Sequence, residues 1–131
     1  MIIFLKKYYL SLLIVIIITI LCLIDTTPLP NPHIVNFDKL VHVIMFLGVS
    51  GVIFFDNTSY LKFPINKRRI LFGSFLFPAV FAGLIEIMQE YLTSTRFGDW
   101  FDFFFGVIGT FFGWIISFNI NSYYLLKKNN T

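Results

Sequence analysis

The sequence contains few charged residues. Only 13% of its 131 residues are Asp, Glu, Lys or Arg, whereas 57% are hydrophobic. Soluble domains carry about 25% charged and about 45–50% apolar residues. A chain of this length has too much surface for its volume to bury so many apolar side chains, so a soluble globular domain is excluded. Disorder requires low hydrophobicity and high charge, and is excluded as well. The composition therefore predicts a membrane protein.

The sequence also lacks the patterns of several common functional sites. Cys22 is the only cysteine, so no disulfide can form within the chain. The ten Lys and Arg residues lie scattered at the ends of apolar segments, which argues against nucleic-acid binding. No H-E-x-x-H or C-x-x-C pattern and no glycine-rich phosphate loop occurs, so we expect neither a metal site nor a cofactor.

Four apolar runs are present, at residues 8–24, 40–55, 70–92 and 101–118. A membrane-spanning helix needs about 20 residues, with a range of about 17–25, and the shorter runs reach this length with their semi-polar flanks. In none of the runs do polar and apolar residues alternate, so we expect helices rather than a closed barrel to satisfy the backbone hydrogen bonds. The runs predict one all-α domain over residues 1–131, an antiparallel bundle of four transmembrane helices. No signal-peptidase site follows the first run, which is therefore expected to remain as an anchor.

The basic residues predict how this multi-pass protein is oriented. Eight of the ten lie in the first residues, in the loop between the second and third runs, and in the last residues. The other two, Lys39 and Arg96, lie in the first and third loops. Because cytoplasmic loops carry the excess of Lys and Arg, both termini are predicted to be cytoplasmic.

Small residues in the third and fourth runs predict where these helices meet. Gly109 and Gly113 have G-x-x-x-G spacing, and small residues let membrane helices approach closely. We expect them to pack against Ala82 and Gly83 of the third helix. Pro78 is expected to kink that helix near its middle.

Polar residues cluster where the predicted orientation places the outer membrane face. Ionisable groups in a membrane are costly and usually face the protein interior. Asp38 and His42 are four residues apart and share one helical face, and Glu86 and Gln89 share another. We expect His42 to pair with Glu86 or Asp38, and Arg96 with Asp102 or Glu86. The predicted pocket consists of Asp38, Lys39, His42, Glu86, Gln89, Arg96 and Asp102, with Glu90 and Asp99 nearby. For Asp38, Lys39, Glu90 and Asp99, extension to headgroup water is an equal alternative.

The order of these residues resembles the VanZ-like family of bacterial membrane proteins. The resemblance rests on Asp38-Lys39-x-x-His42, Glu86-x-x-Gln89, Arg96, Asp102 and Gly109, and it spans residues 38–113. The family usually carries Asn four residues after the aspartate of the fourth helix, where this chain has Gly106. The resemblance implies a place in the bacterial inner membrane and cell envelope. Its founding member is associated with resistance to the glycopeptide antibiotic teicoplanin.

Two functional hypotheses follow. In the favoured one, the protein is not an enzyme, and its outer pocket binds a lipid headgroup, a wall precursor or a glycopeptide-type drug. The nine clustered residues include five acids and two bases, and such a negative site favours cationic or zwitterionic partners. In the alternative, the protein is an intramembrane enzyme that acts on a lipid-linked substrate, with Glu86 and His42 as its acid–base pair.

Overall fold

The computed structural model describes residues 2–24, 37–59, 67–94 and 97–129. These residues form six α-helices and one π-helical turn, and the described part of the chain contains no strand. The elements are α1 (Ile2–Lys7), α2 (Tyr9–Leu23), α3 (Phe37–Ser59), α4 (Lys67–Leu71), the π turn (Phe72–Leu76), α5 (Phe77–Leu92) and α6 (Trp100–Asn129). The predicted all-α class is confirmed.

Among the described residues, three helical stretches are long and apolar enough to cross a membrane, namely Phe37–Ser59, Arg68–Leu92 and Trp100–Ser122. They correspond to the second, third and fourth predicted runs, although the helices extend beyond the predicted limits of 40–55 and 101–118. The extensions contain polar residues such as Asp38 and Asn57, which hydropathy alone assigns to loops. α2 is a shorter apolar helix of 15 residues, so the four-helix antiparallel bundle stays a prediction.

α3 lies at the centre of the molecule and contacts α2, the π turn, α5 and α6. The buried cluster joins three helices and consists of Ile18, Cys22, Phe46, Val49, Ile53, Phe81, Ala82 and Ile85. Many large apolar side chains point outward instead, including Leu13, Ile44 and Phe104. Lipid tails are as apolar as these side chains, so an apolar exterior is stable in a bilayer.

Gly109 and Gly113 of α6 pack against α3, and their predicted contact with Ala82 and Gly83 of α5 is wrong. A Cβ atom at Gly109 would collide with the backbone carbonyl of Val43, and one at Gly113 would lie 2.5 Å from the Leu47 carbonyl oxygen. Ala82 of α5 instead faces Gly106, where a Cβ would lie 3.1 Å from the Ala82 Cβ. Gly106 lies one turn before Gly109, so the glycine spacing predicted a close helix contact but not its partner.

The π turn lies directly before Pro78, near the middle of the stretch Arg68–Leu92. In a regular α-helix the carbonyl of Ser74 accepts a hydrogen bond from the N–H of residue 78, and proline has no N–H. The Ser50 hydroxyl of α3 donates to this carbonyl at 2.6 Å. A polar side chain of a neighbouring helix thus satisfies the backbone group that proline leaves without its usual donor.

Polar contacts tie the start of α2 to α3 and the end of α2 to α5. Near its start, the Ser11 amide and hydroxyl both donate to Asp56 Oδ2, at 2.9 and 2.6 Å. Near its end, the Cys22 carbonyl accepts a hydrogen bond from Gln89 Nε2 at 2.9 Å. α2 therefore runs from what we call the Asp56 end of the molecule to the Glu86 end.

Candidate functional site

His42 is the centre of a buried polar cluster at the Glu86 end. Its Nε2 atom lies 3.3 Å from Glu86 Oε1, and its Nδ1 atom lies 3.8 Å from Asp102 Oδ2. His42 is only 4% exposed and Glu86 only 7% exposed. We call these three residues, contributed by α3, α5 and α6, the His42 site. The structure brings His42 and Glu86 together, although no hydrogen bond joins the two facing atoms.

The His42 ring is held by its own helix and by its neighbours. Nδ1 donates to the backbone carbonyl of Asp38 at 3.0 Å. Because a carbonyl oxygen can only accept a hydrogen bond, this contact assigns a proton to Nδ1. The ring of Phe46, one turn further along α3, stacks with the His42 ring at a centroid distance of 6.3 Å. Asp38 thus contributes through its backbone, and its side chain is exposed.

Two facing atoms of the His42 site have no hydrogen-bond partner. These atoms are Nε2 of His42 and Oε1 of Glu86, and Asp102 Oδ1 is buried without a partner as well. Because Nδ1 carries a proton, Nε2 faces the carboxylate either as a lone pair or as a second N–H. Two facing lone pairs repel, so a proton on one of the two groups, or a donor from a ligand, stabilises this arrangement.

Glu86 and Glu90 also hold the loop that leads into α6. Glu86 Oε2 accepts a hydrogen bond from the Asp99 amide at 2.9 Å, and Glu90 Oε2 accepts one from the Gly98 amide at 3.0 Å. Gly98 is needed there, because a Cβ atom would lie 2.7 Å from the Glu86 carbonyl oxygen. Asp99 in turn accepts from the Phe101 amide at 2.8 Å and caps α6. Glu86 therefore uses one carboxylate oxygen for the loop and directs the other towards His42.

A cavity of about 380 Å³ adjoins this loop. It is lined by Gly83, Glu86, Ile87, Glu90, Tyr91, Gly98 and Trp100. Two carboxylate side chains and two aromatic side chains share this space. We call it the Glu86 cavity.

The remaining predicted residues have other contacts. Gln89 is buried, and its amide is directed to α2 through the hydrogen bond with Cys22. Lys39 Nζ lies 3.9 Å from Asp99 Oδ2 and 5.9 Å from the centre of the Phe101 ring. Arg96 lies outside the described residues, and so do its predicted pairs with Asp102 and Glu86.

Some polar contacts were not predicted from the sequence. Cys22 lies in a continuous apolar run, so spacing gave no reason to expect that its carbonyl binds Gln89. Asp56 lies just after an apolar run and was given no partner, yet it is 2% exposed and accepts a hydrogen bond from the Ser11 hydroxyl. A lone serine in an apolar helix combined with an acid on the next helix is the signal that could have predicted this contact.

The described residues contain no group of three or more His, Cys, Asp or Glu side chains arranged to hold a metal ion. The His42 site offers two carboxylates and an imidazole for binding or proton transfer. Comparison of the chain with protein-family models, with curated proteins and with solved structures gives no match. The resemblance to the VanZ-like family stays a prediction.

Proposed function

We propose that the protein is a membrane protein that binds the ammonium group of a lipid headgroup or of another amphiphile in the Glu86 cavity. The observation that carries this proposal is the composition of the cavity wall, in which Glu86 and Glu90 stand beside Tyr91 and Trp100. Carboxylates attract a cation by charge, and aromatic faces attract it through their quadrupole.

The hydrogen bonds of the two carboxylates are compatible with this role. Each accepts one loop amide with its Oε2 atom, and a carboxylate has about four acceptor positions. Glu86 Oε1 is buried with no hydrogen-bond partner, next to the unpartnered Nε2 of His42. An ammonium donor that reaches Glu86 would satisfy an acceptor that is otherwise costly to bury.

The location of the cavity along the molecule also suits a headgroup. Glu86 lies near the end of the stretch Arg68–Leu92, so the cavity is close to one surface of the bilayer. The excess of basic residues in the other loops supports an outer position for this surface, with four spans and both termini in the cytoplasm. The VanZ-like resemblance suggests that the membrane is a bacterial inner membrane. It also suggests a wall precursor or a glycopeptide-type drug as the ligand.

Binding of short-chain phospholipids to the purified protein tests this proposal. We expect phosphatidylethanolamine to bind more tightly than phosphatidylglycerol with the same acyl chains, because only the former carries an ammonium group. The Glu86→Gln variant should bind phosphatidylethanolamine at least about tenfold more weakly, since a hydrogen bond to a charged group contributes about 1.5–3 kcal/mol.

Asp38→Asn is the matched control for this experiment. It also removes one negative charge at the Glu86 end, but the Asp38 side chain is exposed and does not line the cavity. Its affinity should equal that of the wild type. Equal losses of phosphatidylethanolamine affinity in the two variants, or an equal loss of phosphatidylglycerol affinity in Glu86→Gln, would refute an ammonium site at Glu86.

The second candidate function is an intramembrane enzyme that uses Glu86 and His42 as an acid–base pair. It is favoured by the 3.3 Å separation of two buried atoms without other partners. Mass spectrometry of lipids incubated with the protein separates the two functions. An enzyme yields a product that Glu86→Gln abolishes while ligand is still bound, whereas a binding protein returns its ligand unchanged.

A further inference from the structure

A second cavity lies at the Asp56 end of the molecule, away from the Glu86 cavity. It measures about 460 Å³ and lies between α2, α3 and the helix that contains the π turn. Its walls are largely apolar and include Leu12, Val15, Ile53, Phe72 and Phe77, whereas Tyr8 and Arg69 lie at its polar edge. We call it the Arg69 groove. Its width and apolar walls suit a hydrocarbon chain.

The polar edge of the groove is built by a short chain of hydrogen bonds. Arg69 Nη2 donates to the Tyr8 hydroxyl at 2.9 Å, and that hydroxyl donates to Asn57 Oδ1 at 2.9 Å. Asn57 is buried, so the chain anchors the guanidinium to the protein interior. A guanidinium has five N–H donors in a planar fork, and its geometry matches a phosphate.

The accessible charged side chains around the groove are basic. Lys6, Lys7, Arg68 and Arg69 all lie at this end of the molecule. Among the described residues at this end, the acidic residue is Asp56. It is buried and accepts two hydrogen bonds from Ser11. The accessible charge around the groove is therefore positive and complements an anionic headgroup.

We propose that the Arg69 groove binds an anionic phospholipid, with an acyl chain between α2 and the π turn and the phosphate at Arg69. This site is independent of the ammonium site, since it lies at the other end of the molecule and recognises a phosphate rather than an ammonium group. Two features separate it from ordinary lipid contact: a groove that accommodates a chain, and a positioned arginine at the groove edge.

Binding of phosphatidylglycerol and diacylglycerol with identical acyl chains, measured by native mass spectrometry, tests this proposal, because diacylglycerol carries neither a phosphate for Arg69 nor an ammonium group for the Glu86 cavity. The wild type should retain phosphatidylglycerol preferentially. Arg69→Gln should reduce that preference roughly tenfold, because it removes the charge-assisted hydrogen bonds to the phosphate. Arg68→Gln removes the same charge at the adjacent position, which does not line the groove, and should leave the preference nearly unchanged.

A second pair of variants tests the groove itself. Leu12→Trp fills it from the side of α2 and should weaken the binding of both lipids. Leu13→Trp places the same side chain on an exposed position outside the groove and should have no effect. The proposal is overturned if Arg68→Gln and Arg69→Gln have equal effects, if the wild type does not discriminate between the two lipids, or if Leu12→Trp binds as the wild type does.

Discussion

Ser50 illustrates how a single hydroxyl maintains a helix that proline interrupts. The residue is completely buried, and its Oγ donates to the Ser74 carbonyl, whose regular donor position is occupied by Pro78. No water is present in the bilayer core to replace this donor. Pro78 could be recognised in the sequence as an interruption, but its compensating partner on another helix could not.

We predict that Ser50→Ala lowers the free energy of unfolding by about 1–3 kcal/mol, because the Ser74 carbonyl is left buried without its side-chain donor. Ser122→Ala is the control. Ser122 donates to the Phe118 carbonyl of its own helix, which has a backbone donor as well. Thermal or denaturant unfolding in detergent measures both variants. Equal stabilities for Ser50→Ala and the wild type would contradict the prediction.

The residues of the His42 site show what spacing can predict. His42 and Glu86 were expected to lie together, because short ionisable side chains deep in apolar runs are costly to expose to lipid, and the two side chains do approach to 3.3 Å. Gln89 was grouped with them because it shares a helical face with Glu86. Gln89 lies one turn further along α5, however, and its side chain points to α2 rather than to α3. A helical face is wide enough for residues on it to contact different neighbouring helices. Periodicity predicts which face is polar, but not which neighbouring helix each residue meets.

Asp56 acts on a whole element, because it caps the start of α2 from another helix. The N-cap residue Tyr8 makes no side-chain cap hydrogen bond. The first amides of a helix have no partner within it, and Asp56 accepts one of these, from Ser11. The negative carboxylate also interacts favourably with the positive end of the helix dipole.

We therefore predict that Asp56→Ala destabilises the protein by about 1–3 kcal/mol, since the buried Ser11 amide and hydroxyl lose their acceptor. Ser11→Ala removes only the hydroxyl bond and should cost less. Asp56→Asn keeps an acceptor oxygen and should fall between the wild type and Asp56→Ala. Unfolding midpoints of the three variants check this order of stabilities. A Ser11→Ala variant that is less stable than Asp56→Ala would contradict the prediction.

The contact between α3 and α6 depends on glycines that meet backbone atoms. At Gly109 the obstacle to a side chain is the Val43 carbonyl, which cannot rotate away. At Gly48 the nearest atom is the Cδ1 of Ile14, at 3.7 Å, which is ordinary contact. The same substitution should therefore have opposite consequences at the two sites.

We predict that Gly109→Ala destabilises the protein by about 1–3 kcal/mol, the usual cost of forcing extra volume into a packed interface. Gly48→Ala should be neutral or stabilising, because alanine has the higher helix propensity. Gly109→Leu should be tolerated still less than Gly109→Ala. Melting temperatures in one detergent compare the variants. Equal melting temperatures for Gly109→Ala and Gly48→Ala would disprove the close contact with Val43.

At the scale of the whole molecule, the class of the protein could be predicted from composition alone. The scarcity of charge and the length of the apolar runs required helices in a membrane, and the described residues are all-α. The arrangement of the helices could not be predicted, because apolar helices carry no pattern that selects a partner. Which helix the α6 glycines contact is decided by side-chain shapes on three helices at once.

The number of spans is the remaining question at this scale, and the contacts of α2 bear on it. Helices rise about 1.5 Å per residue, so its 15 residues extend about 22 Å, less than the hydrocarbon thickness of about 30 Å. Yet Ser11 contacts Asp56 near the end of α3, while Cys22 contacts Gln89 of α5, one turn from Glu86, which lies beside His42 near the start of α3. A helix with these contacts runs antiparallel to α3, which supports four spans.

Labelling with a membrane-impermeant maleimide on intact cells decides between four spans and three. Single cysteines are placed at Leu5, Asn31 and Asn66 in a Cys22→Ala background. With four spans and the predicted orientation, position 31 reacts from outside, whereas positions 5 and 66 react only after the membrane is permeabilised. If α2 does not cross, positions 5 and 31 lie on the same side and react alike. If position 66 reacts from outside and position 31 does not, the orientation inferred from the basic residues is wrong, and the Glu86 cavity faces the cytoplasm.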